Sequence, residues 1–156
     1  MTYNLKLEHK AVKFAYANRS TDVNLSSTPV TDVQYALSAL SGSTGLQATL
    51  SGGNIILGDR VYHGFFYPMV GGNDLFTMSI FINGVSLTTQ RTLIKQQVTS
   101  AEETQNITRA LPLFFSYVAT AGDVLSIRYS KITSLQILDI YSGSVGTNLF
   151  LMEVMK

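Results

Sequence analysis

The stretch Leu75-Phe76-Thr77-Met78-Ser79-Ile80-Phe81-Ile82-Asn83-Gly84-Val85-Ser86-Leu87 decides the fold class. Phe76, Met78, Ile80 and Ile82 recur at every second position, so an extended chain gathers them on one face. Asn83-Gly84 follows at once. These two residue types tolerate the positive φ angles of a type I′ turn, whose twist matches that of the strands it joins. The stretch therefore predicts a β-hairpin with one buried face.

The signals on either side are of the same kind. Upstream, the run Arg60 to Val70 contains Val61-Tyr62-His63-Gly64-Phe65-Phe66-Tyr67, apolar or aromatic on both faces. That pattern suits a central strand covered by a second sheet or by a neighbouring subunit. Pro68 should end its regular pairing. Leu46 to Leu50 and Ile55 to Leu57 read as shorter strands, and Val33 to Leu40 reads as a strand or one short helix, with strand preferred. Downstream, residues 96–108, with Glu102-Glu103, read as an exposed loop. Leu111 to Val118, Val124 to Tyr129, Leu135 to Ile140 and Leu149 to Met155 follow as strands, with Ala121-Gly122-Asp123 as a turn. Roughly eight to ten short strands without a fixed-period repeat describe an antiparallel β-sandwich or barrel.

Composition sets the outer limits. A chain of 156 residues is a one-domain length that buries a core without metal or disulfide staples. It has no Cys, which excludes disulfides, thiolate metal sites and thiol nucleophiles. Charged residues are only 13% of the chain, about half the usual share. So neutral a surface is what a permanent homo-oligomer shows in its sequence. The net charge of +1, with no dense basic block, argues against nucleic acid as a partner. No run approaches the ~20 apolar residues of a membrane span, and the start of the chain shows no long apolar leader. Synthesis in the cytoplasm of the producing cell and no membrane insertion are therefore expected. The sequons at Asn18, Asn24 and Asn106 are then chance products of a Ser/Thr-rich chain.

Residues 1–22 differ from the rest. Lys6, Lys10, Lys13 and Arg19 make them mildly basic, and Leu5, Leu7, Val12, Phe14 and Tyr16 alternate with polar or small residues. They are either an attachment arm, extending on the order of 65 Å, or the first strands of the domain. Residues 23–156 form the sandwich domain under either reading.

Candidates for chemistry are few. The two histidines are His9 and His63. His63 with Asp59 and Ser79 would be the one conceivable hydrolase group, but no nucleophile-elbow context surrounds it, and a partly buried core or interface histidine is preferred. Asn73-Asp74 lie in an oxygen-rich loop without a full calcium-loop pattern. Asp59 and Asp123 beside Gly58 and Gly122 suit tight turns. No enzyme, metal or cofactor is expected. The largest apolar resource is aromatic, and adjacent aromatics on a strand point to opposite faces. Tyr62, Phe65, Phe66, Tyr67, Phe114, Phe115 and Tyr117 are thus the candidates for an oligomer interface.

Four features together resemble the trimeric jelly roll of tumour necrosis factor and the complement-type globular heads. They are the strand Arg60 to Tyr67, the hairpin Ile80-Phe81-Ile82-Asn83-Gly84-Val85, the segment Leu113 to Ile127 with its Gly122-Asp123 turn, and the apolar closing strand Leu149 to Val154. The resemblance covers roughly residues 30–156. It implies a jelly-roll β-sandwich and a homotrimer. Similar domains occur in phage decoration proteins, head fibres and tail-fibre tips, which implies a structural virion surface protein. Its partners would be itself and a major capsid or fibre protein gripped by Lys6, Lys10, Lys13 and Arg19. The alternative is a receptor- or glycan-binding fibre head whose segments 71–74, 96–108 and 142–148 face a host surface glycan.

Overall fold

The computed structural model describes residues 12–25, 28–72, 76–87, 107–109, 112–131, 138–143 and 146–156. These residues hold strands and no helix. In chain order the strands are β1 (Lys13–Asn18), β2 (Val23–Leu25), β3 (Val30–Gln34), β4 (Ala39–Gly42), β5 (Thr49–Ser51), β6 (Asn54–Ile56), β7 (Val61–Tyr67), β8 (Met69–Gly72), β9 (Phe76–Ile82), β10 (Val85–Ser86), β11 (Ile107–Arg109), β12 (Leu113–Val118), β13 (Val124–Lys131), β14 (Leu138–Ile140) and β15 (Asn148–Val154).

The predicted hairpin is β9 and β10. Asn83 and Gly84 stand at φ 50° and 80°, both positive as a type I′ turn requires. Val85 pairs with Ile82 across it. Met78, Ile80 and Ile82 are buried, and so are Leu125, Ile127 and Tyr129 on the partner strand β13. The order in this sheet is β10-β9-β13-β6-β5, and β3 shares the far edge of β13 with β6.

The second sheet has the order β12-β7-β15-β1-β4, and a third has the order β11-β8-β14-β2. The two are one bent layer. β1 runs into β2, β7 into β8, β11 into β12 and β14 into β15, so four strands of the third sheet continue four of the second in the same order. Pro68 marks the bend on the β7–β8 line, because it has no N–H to continue the ladder. Met69 then takes up the third sheet, its N–H donating to Thr147 Oγ1 at 2.9 Å. The result is a two-layer antiparallel sandwich of jelly-roll type. Its single core joins Tyr62, Phe66 and Leu149 of the bent layer's long half, Val70 and Ile140 of its short half, and Ile55, Ile80 and Leu125 of the hairpin sheet.

Several expectations shift. Fifteen strands replace eight to ten among the described residues, because the bend divides long strands and short edge strands add to them. Val33 to Leu40 is not one strand: β3 ends at Gln34 and β4 begins at Ala39. Part of the predicted 96–108 loop is strand, since Ile107 and Thr108 pair with Gly71 and Val70. Of residues 1–22, Lys13–Asn18 form an inner strand between β15 and β4. Residues 1–11, the Asn73-Asp74 pair and Glu102-Glu103 lie outside the described residues.

Candidate self-association face

The bent layer's outer face is set by the alternation of its strands. In β12, Leu113 and Phe115 are buried while Phe114 is 72% exposed. In β7, Tyr62, Gly64 and Phe66 are buried and His63 and Phe65 are not. In β15, Leu149, Leu151 and Glu153 are buried while Phe150 is 43% exposed. In β1, Ala15 and Ala17 are buried and Phe14 is 59% exposed.

Register then lines up the outward residues in rows. Phe114 stands opposite Phe65, Phe65 opposite Phe150, and Phe150 opposite Tyr16. Ring centroids along this row are 4.9, 6.0 and 5.1 Å apart, within the range of favourable aromatic pairs. The next row is Ser116, His63, Met152 and Phe14, and beyond it come Val118, Val61 and Val154. These three rows contain no carboxylate, ammonium or guanidinium. A shallow depression of about 310 Å³ lies between Phe14, His63, Phe65, Phe114, Phe150 and Met152. A contiguous apolar patch of this kind, unbroken by charge, marks an interaction surface.

The predicted residues separate cleanly. Phe65 and Phe114 reach the outer face, with Tyr67 beside Phe65 at a centroid distance of 6.1 Å. Tyr62, Phe66 and Phe115 instead fill the core, with exposures of 0%, 0% and 8%. Tyr117 lies on their side of β12 and donates its hydroxyl to Asp123 Oδ2 at 2.9 Å. Tyr62, Phe66 and Phe115 are corrected from interface to core, because strand parity sends them inward, and Tyr117 packs partly buried against that core. Phe14, Tyr16, Phe150 and Met152 were not singled out for this face. Their signal was present in Phe14-Ala15-Tyr16-Ala17, but there the small residues face the core and the large ones face out.

Of the basic residues of the proposed arm, Lys13 and Arg19 lie among the described residues. Lys13 Nζ donates to the Gly45 carbonyl. Arg19 donates from Nε to Thr21 O at 2.8 Å and from Nη1 to Ala36 O at 3.3 Å, and its guanidinium lies 5.8 Å from the Tyr35 ring centroid. Both are engaged within their own domain. Lys6 and Lys10 lie outside the described residues.

Of the two places expected for His63, core or outer face, the structure gives the outer face. His63 is exposed, and Ser116 Oγ lies 3.0 Å from its Nδ1. Ser79 belongs to the other layer and Asp59 pairs with Lys156, so the imagined hydrolase group does not assemble.

Beneath the face, Glu153 is a buried carboxylate, 2% exposed. Its Oε2 accepts the Gln47 N–H at 2.8 Å and the Tyr62 hydroxyl at 3.1 Å, with Arg60 Nε 3.9 Å from Oε1. Burial pushes the Tyr62 phenol up to about 12, and the adjacent Glu153 charge adds to that rise. The fully buried Tyr35 is likewise pushed up to about 12 by burial. Its hydroxyl closes no hydrogen bond of normal geometry, although Thr147 is near enough to offset part of the burial effect.

No protein-family model matches the sequence, and no curated protein matches it. Solved structures do match the fold. The Eiger tumour necrosis factor of S. frugiperda superposes with a TM-score of 0.58 at 13% identity, covering 90% of each chain. Murine APRIL superposes with TM-scores of 0.56 at pH 5.0 and 0.53 at pH 8.5, each at 13% identity and covering 92% of this chain and 99% of that one. The tumour-necrosis-factor type of jelly roll, which the sequence resembles, is the fold observed.

Proposed function

We propose that the protein is a non-catalytic jelly-roll head that associates with copies of itself, as a threefold trimer, through the outer face of the β12-β7-β15-β1-β4 sheet. One observation carries this reading: the row Phe114, Phe65, Phe150 and Tyr16 stacks across four strands with no charge beside it. Covering a Phe side chain is worth roughly 1.5–3 kcal/mol, so several copies of such a row supply a stable interface. The jelly-roll fold supports the same reading.

The role we assign to such a head is on a particle surface, as a capsid-decoration or head-fibre protein, following the sequence resemblance to phage heads. Attachment to the capsid or fibre protein then falls to the residues before β1, which include Lys6 and Lys10. Mass spectrometry of purified virions from the producing host tests this. The chain should be present in them, and absence removes the virion role.

Light scattering coupled to size-exclusion chromatography tests self-association. The full chain should elute at about three times its 17.1 kDa mass. Phe114→Glu, which sets a charge at the β12 end of the row, should elute as a folded monomer. A wild-type monomer at micromolar concentration overturns the reading.

A further inference from the structure

The opposite side of the sandwich, the outer face of the hairpin sheet, has a different character. Ser79 and Arg128 stand opposite each other in β9 and β13, between the inward-facing Met78, Ile80, Ile127 and Tyr129, and Gln34 of β3 flanks Arg128. Two adjoining cavities of about 510 and 310 Å³ open here and share Asp32. Each is within the size range of small-ligand sites.

Their polar groups are held in place. The Arg128 guanidinium lies over the Phe81 ring, 4.6 Å from its centroid, and makes no hydrogen bond or ion pair among the described residues. Stacking orients its plane and leaves its N–H edges for another partner. Asp32 stands at φ 49°, in the left-handed region, beside a register shift between Tyr129 and Lys131. The Ser130 hydroxyl clamps it, accepting the Asp32 N–H at 2.9 Å and donating to Oδ1 at 3.3 Å. Strain and irregular pairing of this kind gather where a side chain is aimed at a task. Gln34 Nε2 donates to Gly52 O at 3.0 Å and to Asn54 Oδ1 at 2.9 Å, which fixes two amides side by side.

The charges select the ligand class. An anion attracted to Arg128 meets Asp32 in the same cavity, and a cation attracted to Asp32 meets Arg128, while Lys131, which lines the larger cavity, is 1% exposed and already engaged within the protein. A neutral ligand with many hydroxyls uses both, because each hydroxyl donates and accepts, and two amides and a set of serine hydroxyls extend the pattern. We propose that this groove binds a neutral glycan of at least two sugar rings, one in each cavity. The site lies on the face away from the aromatic rows and does not depend on self-association.

A printed array of neutral and anionic glycans, probed with the full chain and followed by saturation-transfer NMR on the best neutral binder, tests the proposal. A neutral oligosaccharide should bind, and Arg128→Ala and Asp32→Ala should each weaken it tenfold or more. Asp32→Asn and Arg128→Lys are companion variants that keep the backbone preference or the charge. Asp32→Asn should retain most of the binding and Arg128→Lys should lose it, with thermal melts confirming that each is folded. Three results overturn the proposal: no neutral glycan bound, binding that survives both alanine variants, or binding confined to sialylated glycans and strengthened by Asp32→Ala.

Discussion

Phe115 places its ring in the space that a side chain on Gly64 would occupy. The two residues are directly paired across β12 and β7, and a Cβ built on Gly64 would lie 1.9 Å from the ring's Cε1. The glycine that interrupts an otherwise aromatic strand is thus the seat of a core phenylalanine. Gly64→Ala forces the ring out of place, an overpacking cost of about 1–3 kcal/mol. In thermal unfolding its Tm should fall by roughly 2–12 °C, and adding Phe115→Leu should recover part of the loss. A Gly64→Ala protein with an unchanged Tm would mean that the ring has another place to go.

Asp123 ties two turns together. Its Oδ1 accepts from Asn83 Nδ2 at 2.8 Å, and its Oδ2 accepts from the Thr120 N–H at 2.8 Å and the Tyr117 hydroxyl at 2.9 Å. These donors, Asn83 first, hold its carboxyl below the usual carboxylate range. A pKa depressed in the folded state adds stability that is complete above the unfolded value, about 3.9, and is lost as pH falls through the folded value. Denaturation midpoints followed from pH 6 down to pH 2 should fall in the wild type as this carboxyl is protonated. Asp123→Asn should be less stable at pH 6 and flatter below pH 4. Parallel curves for the two proteins would show that the network does not respond to charge.

The same turns show what the sequence makes legible and where it stops. Asn83-Gly84, the period-two burial around it and the break at Pro68 are local, and each follows from backbone sterics within a few residues. The facing of the aromatic pairs is half local. Parity says that Phe65 and Phe66 part company, but only the placement of the layers says which one turns inward. The Phe14-Ala15-Tyr16-Ala17 run reads as an extended segment, and β1 is one, but its alternation does not say which side faces inward. Hydrophobic size usually marks the core side, whereas here two alanines pack inside and two aromatics stand in the outer rows. The groove at Asp32 was not legible at all, because it joins β3, β6, β9 and β13, which are widely separated in sequence and brought together only by register.

Two buried tyrosines set the expected response to alkali. Tyr35 and Tyr62 are each pushed up to about 12, from an ordinary value near 10.0, chiefly by burial. A pKa raised in the folded state means that stability is complete below the unfolded value and is lost as pH rises through the folded one. Urea midpoints should therefore decline between pH 10 and 12. Tyr62→Phe should lower stability at pH 7 by about 1–3 kcal/mol, for the hydrogen bonds lost to Glu153 and from the Gly58 N–H, while flattening this alkaline decline. A decline identical to wild type would assign it to other groups.

Phe65 and Phe66 are neighbours in sequence on opposite sides of β7, and that contrast separates folding from assembly. Phe66 is fully buried, so Phe66→Ala should cost about 3–5 kcal/mol and broaden or abolish the cooperative unfolding transition. Phe65 stands in the outer row between Phe114 and Phe150, so Phe65→Ala should leave the unfolding of dilute, dissociated protein within about 1 kcal/mol of wild type, as for a surface site, while weakening self-association. Sedimentation velocity over a concentration series, paired with urea unfolding at the lowest concentration, measures both effects in one preparation. Loss of monomer stability in Phe65→Ala without any change in association would mean that the aromatic rows brace the sheet instead of joining copies of it.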